Sequence, residues 1–385
     1  MGYLGDHLKL IIEVEKNDVK SRLQLFVKCL PRSDHWKAAY IKQMNFFKKE
    51  HMMLSGLFKE FACNKEPTKW RPKDYLIKEN VFVFEDITEV GYKMPHHRKV
   101  LNLDLLKTTV EILAVFHAQS YIYEEKKSRI LRRPYRIWED YSHYLQEPIT
   151  GNKEWRDVGT NAVIDFLKVY SKYRGELHFS NHLQSIIPML FDGGLALMKP
   201  STEYRNVVVH RDLWTNNILY KKLDNMKHHA VIVDFQTVVY SSPMIDLCSL
   251  IYFNTTRSSR LQHTDELLDL YHDTLAKRLH SDNINIDDIL DKATLIKAYK
   301  ESVMFGITQA AIIVPIVAMD SKKREEIFCD PEKIKKANLV SRSEEFIEIA
   351  KDDYEYRSRV TELVDEIVER YVYPNESDQF QRDKY

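Results

Sequence analysis

The sequence predicts an α+β protein with two lobes, a small sheet-rich N-terminal lobe followed by a large, mainly helical C-terminal lobe. Two observations support this fold class. Short β-rich runs and one helical segment fill about the first ninety residues, whereas helical periodicity dominates after residue 101. The length of 385 residues is sufficient for two lobes that each have a core. We therefore predict an N-terminal lobe over residues 1–87, a C-terminal lobe over 88–373 and a polar tail over 374–385.

The elements of the N-terminal lobe follow from their hydrophobic patterns. Residues 7–15 and 23–30 are β-rich runs separated by a short polar turn, and Pro31 closes the second run. Residues 36–61 have apolar side chains at three- and four-residue steps among lysines, which predicts one helix. Residues 81–84 form a further apolar strand that ends in acidic side chains. The predicted order is strand, strand, helix, strand.

Helices and two short strands are predicted for the C-terminal lobe. The helical segments are residues 103–120, 161–173, 181–198 and most of 245–371, and the strands are residues 207–209 and 230–233. The most apolar stretch, residues 303–319, contains Gln309 and Pro315 and falls short of the roughly 20 residues that a membrane-spanning helix needs. This stretch predicts a buried core helix.

Composition argues against several classes of partner. Lys and Arg together number 57, as do Asp and Glu, so the formal net charge of zero gives no electrostatic basis for binding nucleic acid or an anionic membrane. A basic run over residues 126–133 is typical of a solvated helix end or loop. The four cysteines are far apart, as expected of reduced thiols, and no signal peptide is visible. A cytoplasmic protein is the expected class.

The strongest chemical signal lies over residues 207–220. An apolar strand leads into His-Arg-Asp-Leu at residues 210–213, Asn217 follows five residues after Asp212, and a second apolar run comes next. This spacing matches the catalytic loop of kinases. Phosphoryl transfer needs a carboxylate that accepts or orients the proton of the acceptor hydroxyl, and an amide oxygen that holds a metal ion on the phosphates. The sequence predicts one loop that carries both groups.

A second carboxylate follows the next predicted strand. Asp234 comes directly after residues 230–233, where kinases place the aspartate of Asp-Phe-Gly. A carboxylate at this point can bridge Mg²⁺ to the β- and γ-phosphates of ATP. A capping aspartate at a strand end is the alternative for Asp234 taken alone. The ordered set of His210, Asp212, Asn217 and Asp234 makes that alternative the weaker interpretation.

The N-terminal lobe offers candidates for nucleotide binding. Lys28 ends an apolar strand, from which its ammonium group can reach the α- and β-phosphates, and Glu50 is a helix residue that can pair with it. Glu60 is a rival partner, although Glu50 lies nearer the middle of the predicted helix. Glu85 and Asp86 follow the last strand of the lobe and form a candidate hinge whose backbone can hydrogen-bond adenine, and Ile87 is a further candidate cofactor-binding residue. A solvated turn is the alternative for these hinge residues.

Five motifs together resemble the ecdysteroid kinase-like proteins of insects, which belong to the choline- and aminoglycoside-kinase-like group. These motifs are residues 26–31, 84–87, 116–120, 210–217 and 234–236. Asp-Leu-Trp followed by Asn-Asn, and Asp-Phe-Gln in place of Asp-Phe-Gly, are particular to that group. The resemblance implies a protein-kinase-like fold and the ATP-dependent phosphorylation of a hydroxyl on a steroid or other small molecule, with ATP and Mg²⁺ as cofactors.

The same resemblance implies roles for residues identified above. Asp212 corresponds to the catalytic base, and Asn217 and Asp234 correspond to the Mg²⁺ ligands. Lys28 and Glu50 correspond to the ion pair beside the phosphates. The small-molecule hydroxyl acceptor is the only partner that the resemblance implies, and the sequence gives no oligomeric state.

The interval after Asp234 separates small-molecule kinases from protein kinases. Residues 241–246 lead at once into an apolar helical run, whereas protein kinases place an activation loop and an Ala-Pro-Glu motif here. The missing segment leaves little room to dock a peptide, which favours a small acceptor. Asp246 resembles the aspartate that braces the catalytic loop in this superfamily, and a helix N-cap is its alternative role.

The phosphate loop is the clearest departure from the kinase pattern. Only Gly2 and Gly5 are available for a glycine-rich loop, and no strand precedes them. The sequence therefore predicts a rudimentary loop or one that lacks its first strand. The alternative function that follows is a kinase-fold protein that binds a nucleotide or ligand without phosphoryl transfer.

Two helical insertions are candidates for the wall of an acceptor pocket. They are roughly residues 131–201 and 263–328. The aromatic segment at residues 134–138 could line such a pocket or simply pack between helices.

Overall fold

The computed structural model describes residues 5–16, 19–62, 68–147, 153–224 and 226–374. The strands within these ranges are β1 (Asp6–Lys16), β2 (Val19–Cys29), β3 (Asp74–Lys78), β4 (Val81–Glu85), β5 (Val207–Val209), β6 (Ile218–Lys222), β7 (His228–Ile232) and β8 (Val239–Ser241). The α-helices are α1 (His35–Gln43), α2 (Phe46–Met52), α3 (Phe58–Glu60), α4 (Leu103–Leu131), α5 (Ile137–Tyr141), α6 (Lys153–Tyr170), α7 (Phe179–Ala196), α8 (Met244–Asn254), α9 (Arg257–His280), α10 (Lys292–Val317), α11 (Ser321–Phe328), α12 (Pro331–Leu339), α13 (Ser343–Asp352) and α14 (Tyr354–Ile367).

A four-stranded antiparallel sheet in the order β1-β2-β4-β3 forms most of the N-terminal lobe. The strands predicted over residues 7–15, 23–30 and 81–84 are confirmed as β1, β2 and β4. Strand β3 was not predicted, because its sequence Asp-Tyr-Leu-Ile-Lys has charged ends and no clear alternation. The α+β prediction is therefore correct, with one more strand than the pattern gave. Residues 375–385, most of the predicted polar tail, lie outside the described residues.

The single helix predicted over residues 36–61 is wrong. Helix α1 ends at Gln43, and Asn45 adopts a left-handed backbone with φ of 57° before α2 begins. Asparagine accepts this conformation more readily than most residues, so it can end one helix and start another. A π turn over Met53–Leu57 then joins α2 to α3. The break redirects the chain so that α2 packs against the segment that follows Asp234.

Helix α4 is longer than predicted and includes most of the basic run. The helix ends at Leu131, and Lys126 and Lys127 form surface ion pairs with Asp282 and Asp140. The prediction of a solvated helix end for this run is thus confirmed. The buried face of α4 supports strands β5 and β7, which lead into the loops of the predicted site residues.

Helix α10 is the central helix of the C-terminal lobe. In the part of the chain that the structure describes, α10 is the only helix long and apolar enough to cross a membrane, and 72% of its most apolar window is buried within the protein. It packs against α7, α8 and α14. A core position for this apolar stretch agrees with the prediction for residues 303–319.

Two short ladders place the catalytic loops. Strand β5 pairs with β8, and β6 pairs with β7, both antiparallel. The loop between β5 and β6 therefore emerges beside the loop that follows β7. The side chain of Phe235 in the second loop contacts Phe58, Trp70 and Phe116 at ring-centroid distances of 5.2, 5.5 and 5.6 Å. This aromatic cluster joins helix α3 of the N-terminal lobe to the loop that follows β7.

Candidate active site

Asp246 holds the catalytic loop by its backbone. Its carboxylate accepts hydrogen bonds from His210 N (2.6 Å) and Arg211 N (2.5 Å). The Nε2–H of buried His117 donates to the same carboxylate at 3.0 Å, and Tyr271 Oη donates to His117 Nδ1 at 2.7 Å. Asp246 lies in the first turn of α8, but its side chain serves the loop and not the helix end. The brace that the resemblance implied is present.

His210 fixes the position of Asp212. Its Nδ1 accepts from Asp212 N at 3.2 Å, and its Nε2–H donates to Val233 O at 2.9 Å. Between them, Arg211 has a positive φ of 73°, an uncommon conformation that the surrounding hydrogen bonds stabilise. Burial raises the pKa of Asp212, with a further contribution from the negative charge of Asp234. A raised pKa suits a carboxylate that receives a proton.

The amide side chain of Asn217 is oriented by Asp212, which lies on the same loop. Its Nδ2 donates to Asp212 O at 2.8 Å and to Asp212 Oδ2 at 3.0 Å. Both contacts use the amide nitrogen, so Oδ1 remains as an acceptor that can hold a cation. Val233 N donates to Asn217 O at 3.0 Å and ties the catalytic loop to the loop of Asp234.

Lys28 lies between two carboxylates. Its Nζ is 2.6 Å from Glu50 Oε2 and 2.5 Å from Asp234 Oδ1. Burial disfavours the ammonium charge, but the charges of Asp234 and Glu50 outweigh burial and raise the pKa of Lys28. Phe235 N donates to Glu50 Oε1 at 3.2 Å, and Gln236 Nε2 donates to Asp234 Oδ2 at 3.2 Å. The predicted pair of Lys28 with Glu50 therefore forms directly beside Asp234.

One cavity of about 490 Å³ connects these groups. On the side of the N-terminal lobe, Phe26, Phe84 and Leu219 give it apolar walls. Ile87 also lines it, and within the described ranges the Ile87 N–H donates to no protein acceptor. Apolar walls with an open backbone donor fit a purine base.

The remaining predicted cofactor residues border this slot. The side chain of Glu85 is used within the lobe, where it pairs with Lys69 and accepts from Lys73 N, so only its backbone is a candidate for adenine. Gly5 lies against β2, where an added Cβ would be 3.2 Å from Cys29 O. Gly2 lies outside the described residues. Sequence reasoning missed His7, which pairs in register with Lys28 and lines the cavity.

The cavity continues between helices of the C-terminal lobe. This distal part is lined by Tyr40, Trp155, Arg156, Leu195, Met198, Gln309, Ile313, Ile316, Val317, Phe328, Ile334 and Asn338. Most of these residues belong to the two predicted insertions, and Ile334 and Asn338 lie beyond them. The aromatic segment at 134–138 packs instead: Tyr135 and Ile137 are buried, and Trp138 stacks on Tyr240.

The donor set fits a magnesium ion held with a nucleotide. Among the described residues no group of three His, Cys, Asp or Glu side chains could hold a metal by itself. Mg²⁺ in phosphoryl-transfer sites is commonly bound by one or two protein oxygens together with substrate phosphates and water. The Asp234 carboxylate and Asn217 Oδ1 provide such oxygens.

A family comparison agrees with this geometry. The model of the ecdysteroid kinase-like family matches residues 2–283. The chain belongs to that family. A search of curated proteins finds no match to this ecdysteroid kinase-like protein.

Solved structures with similar folds are distant in sequence. An ethanolamine kinase of Plasmodium vivax is 13% identical, with a TM-score of 0.39 over 86% of this chain and 83% of its own. Choline kinase LicA of Streptococcus pneumoniae is 12% identical, with a TM-score of 0.38 over 89% and 86%. An ADP-bound aminoglycoside phosphotransferase, APH(2'')-Ib, is 16% identical, with a TM-score of 0.32 over 78% and 95%. Likeness at this level says nothing about the acceptor of this ecdysteroid kinase-like protein.

Proposed function

We propose that this protein transfers the γ-phosphoryl group of ATP to a hydroxyl of an apolar small molecule, an ecdysteroid or a related steroid or xenobiotic. One observation carries the proposal: Lys28, Asp212, Asn217 and Asp234 line a single cavity whose far side has mainly apolar walls. The lysine that is proposed to contact the phosphates and the proposed base therefore line the same cavity as the proposed acceptor site.

Each of these residues has a separate proposed role in phosphoryl transfer. Asp212 is positioned to accept the hydroxyl proton while the hydroxyl oxygen bonds to the γ-phosphorus and the bond to the bridging oxygen of ADP breaks. Lys28 is positioned to neutralise the α- and β-phosphates. Asp234 and Asn217 would hold Mg²⁺, which supplies charge stabilisation for the transferred group. The backbones of Glu85 and Ile87, with Gly5 at the phosphate end, are the candidate contacts for the nucleotide.

The charge of the distal cavity supports a neutral or anionic acceptor. None of the described residues that line this distal part is acidic, and the carboxylate of Glu147, which lines the same cavity, pairs with Arg211. A cationic acceptor would need free carboxylates or a cage of aromatic rings. The resemblance to insect proteins makes ecdysteroids the first acceptors to test. We also propose a cytoplasmic location, in keeping with the buried free thiols of Cys29 and Cys248.

Transfer of radiolabelled phosphate from Mg·ATP to a panel of ecdysteroids and hydroxylated xenobiotics tests the proposal. The panel is run with the wild type, with Asp212→Asn and with Asp224→Asn, an exposed aspartate in a surface turn that serves as the control. We expect transfer by the wild type and the control and a loss of roughly 10²–10⁴-fold in Asp212→Asn. Transfer to no acceptor, or transfer by Asp212→Asn equal to that of the wild type, would contradict the proposed kinase function. ATP binding without turnover would favour the non-catalytic alternative.

A further inference from the structure

The distal end of the cavity carries positive charge without a matching carboxylate. Arg156, in the first turns of α6, lines the cavity and is partly exposed to it. In the ranges that the structure describes, Arg156 forms no ion pair, whereas about half of the other arginines in those ranges pair with acidic residues. A guanidinium in this position offers up to five N–H donors to whatever occupies the cavity.

A second arginine lies behind the same wall. Arg342 is only 1% exposed, and its Nε and Nη1 have no hydrogen-bond partner. Its guanidinium lies 4.8 Å from the ring of Trp155, which lines the cavity, and Nη2 donates to Trp155 O at 3.4 Å. Gly159 leaves the space that this guanidinium occupies, since a Cβ there would collide with Nη2.

Aromatic rings, hydroxyls and one backbone carbonyl surround the charge of Arg342. Besides Trp155, its neighbours are Phe346 at 5.8 Å and the hydroxyls of Tyr40 and Tyr356, and no carboxylate of the described residues faces it. Burial lowers the pKa of Arg342 to about 10, which still leaves it charged at neutral pH. An uncompensated buried charge is costly to stability, so its presence next to a ligand cavity points to a ligand that supplies the opposite charge.

We propose that this distal end binds an anionic oxygen group of the acceptor, a carboxylate or a sulfate or phosphate ester, with Arg156 as the direct contact. Arg342 adds positive potential behind Trp155 and Tyr40. The acceptor is then an apolar molecule with a hydroxyl at the Asp212 end and an anionic group at the Arg156 end. This assignment of the acceptor class rests on the proposed kinase function.

Calorimetric titration without ATP tests the charge preference separately from catalysis. Three hydroxylated apolar acids (a steroid acid such as cholate, an ω-hydroxy fatty acid and an aromatic hydroxy acid) are each compared with their neutral methyl ester. A charge-assisted contact contributes about 1.5–3 kcal/mol, so at least one acid should bind roughly tenfold or more tightly than its ester. Arg156→Gln should bring that ratio close to one, and Arg342→Met should reduce it about threefold.

The control is Arg22→Gln, an exposed arginine of β2 that does not line the cavity, and it should keep the full preference. Thermal unfolding of each variant confirms that the fold is retained. Equal affinity for acid and ester in every pair, no binding of any acid, or an unchanged preference in Arg156→Gln overturns the inference. Acid preference without phosphoryl transfer to any acceptor would leave the anion subsite standing and refute the kinase function.

Discussion

On the nucleotide side of the cavity, Lys28 lies within 2.6 Å of two carboxylates, and Asp246 satisfies three donors around the catalytic loop. On the acceptor side, Arg342 is as deeply buried as Lys28, yet no carboxylate of the described residues faces it. The two sides therefore treat buried charge in opposite ways. The protein itself neutralises charge beside the proposed catalytic residues, and it leaves charge open beside the proposed acceptor site.

The two sides also differ in how much of each lies within the residues that the family model matches. The family match covers residues 2–283, which include all the candidate catalytic and nucleotide-binding residues. Much of the distal wall comes from α10, α11 and α12, which follow that range. The candidate catalytic and nucleotide-binding residues thus all lie within the family match, whereas the distal wall extends beyond it.

Asp234→Asn should produce the largest effect and tests whether the catalytic side depends on its paired charge. The amide loses the negative charge that faces Lys28 and would hold Mg²⁺, while Glu50 keeps Lys28 paired so that the fold is retained. Loss of several kcal/mol of charge stabilisation corresponds to roughly a 10³-fold lower kcat for phosphoryl transfer. Asp192→Asn, an exposed position on α7, is the control. A loss below about tenfold would contradict the assigned metal role.

Asp246→Asn should cost about 3 kcal/mol in the free energy of unfolding, measured by urea denaturation. The amide can accept from only one side, so at least one of the donors His210 N, Arg211 N and His117 Nε2–H would face an N–H group. Phosphoryl transfer should fall as well, because the loop that carries Asp212 loses its brace. Asp352→Asn, at the exposed end of α13, provides the reference. A cost of less than about 1 kcal/mol would mean that the loop holds its shape without Asp246.

On the nucleotide side, sequence patterns could predict which residues of the two loops lie together, because those residues are close in the chain. Asp212 and Asn217 lie on one short loop, and Asp234 ends an apolar strand, so spacing alone brings them close. The pairing of Lys28 with Glu50, and not with Glu60, could be predicted from position in the helix even though that helix breaks at Asn45. The position of Glu50 in the sequence and the folded structure therefore indicate the same partner for Lys28.

The acceptor side could not be predicted in the same way. Trp155 on α6 and Asn338 on α12 meet across the cavity although they are far apart in the chain. An aromatic segment such as residues 134–138 looks the same in sequence whether it lines a pocket or packs in the core. The missing partner of Arg342 is likewise a property of tertiary packing, because no local pattern shows that an arginine is buried without an acid.

Lys49 tests whether a buried lysine needs an acidic partner to keep its positive charge. It neighbours Glu50 on α2, but among the described residues its Nζ donates only to the carbonyls of Val238 (2.9 Å) and Gln146 (3.2 Å). Burial lowers the pKa of Lys49 to about 7, with a contribution from the charge of Arg211. The unfolded chain then binds one more proton than the folded protein between about pH 7 and 10, so wild-type stability should rise with pH in that window.

Urea denaturation at several pH values between 7 and 10 measures this slope. Relative to Lys49→Met, the wild type should gain up to about 1.4 kcal/mol per pH unit as the pH rises, and the difference should level off below pH 7. Lys48→Met removes an exposed lysine one position earlier and should keep the wild-type slope. Parallel stability curves for the wild type and Lys49→Met would show that Lys49 stays charged despite lacking a carboxylate among the described residues.

Ile313→Ala should have the smallest effect, and it should distinguish acceptor binding from nucleotide binding most clearly. Ile313 lines the distal cavity from α10, so shortening it removes apolar contact with the acceptor alone. A change of this size in a hydrophobic pocket is worth about 1–2 kcal/mol, which predicts roughly a tenfold higher KM for an apolar acceptor and an unchanged KM for ATP. Steady-state kinetics with each substrate varied in turn give both values.

Ile296→Ala provides the matched control because Ile296 lies on the same helix and is 36% exposed. It should leave both KM values unchanged, which separates loss of acceptor contact from a general loosening of α10. A parallel rise in the KM for ATP in Ile313→Ala would mean that the helix also supports the nucleotide side. The two sides of the cavity would then act as one unit, and the contrast in their buried charge would not reflect separate tasks.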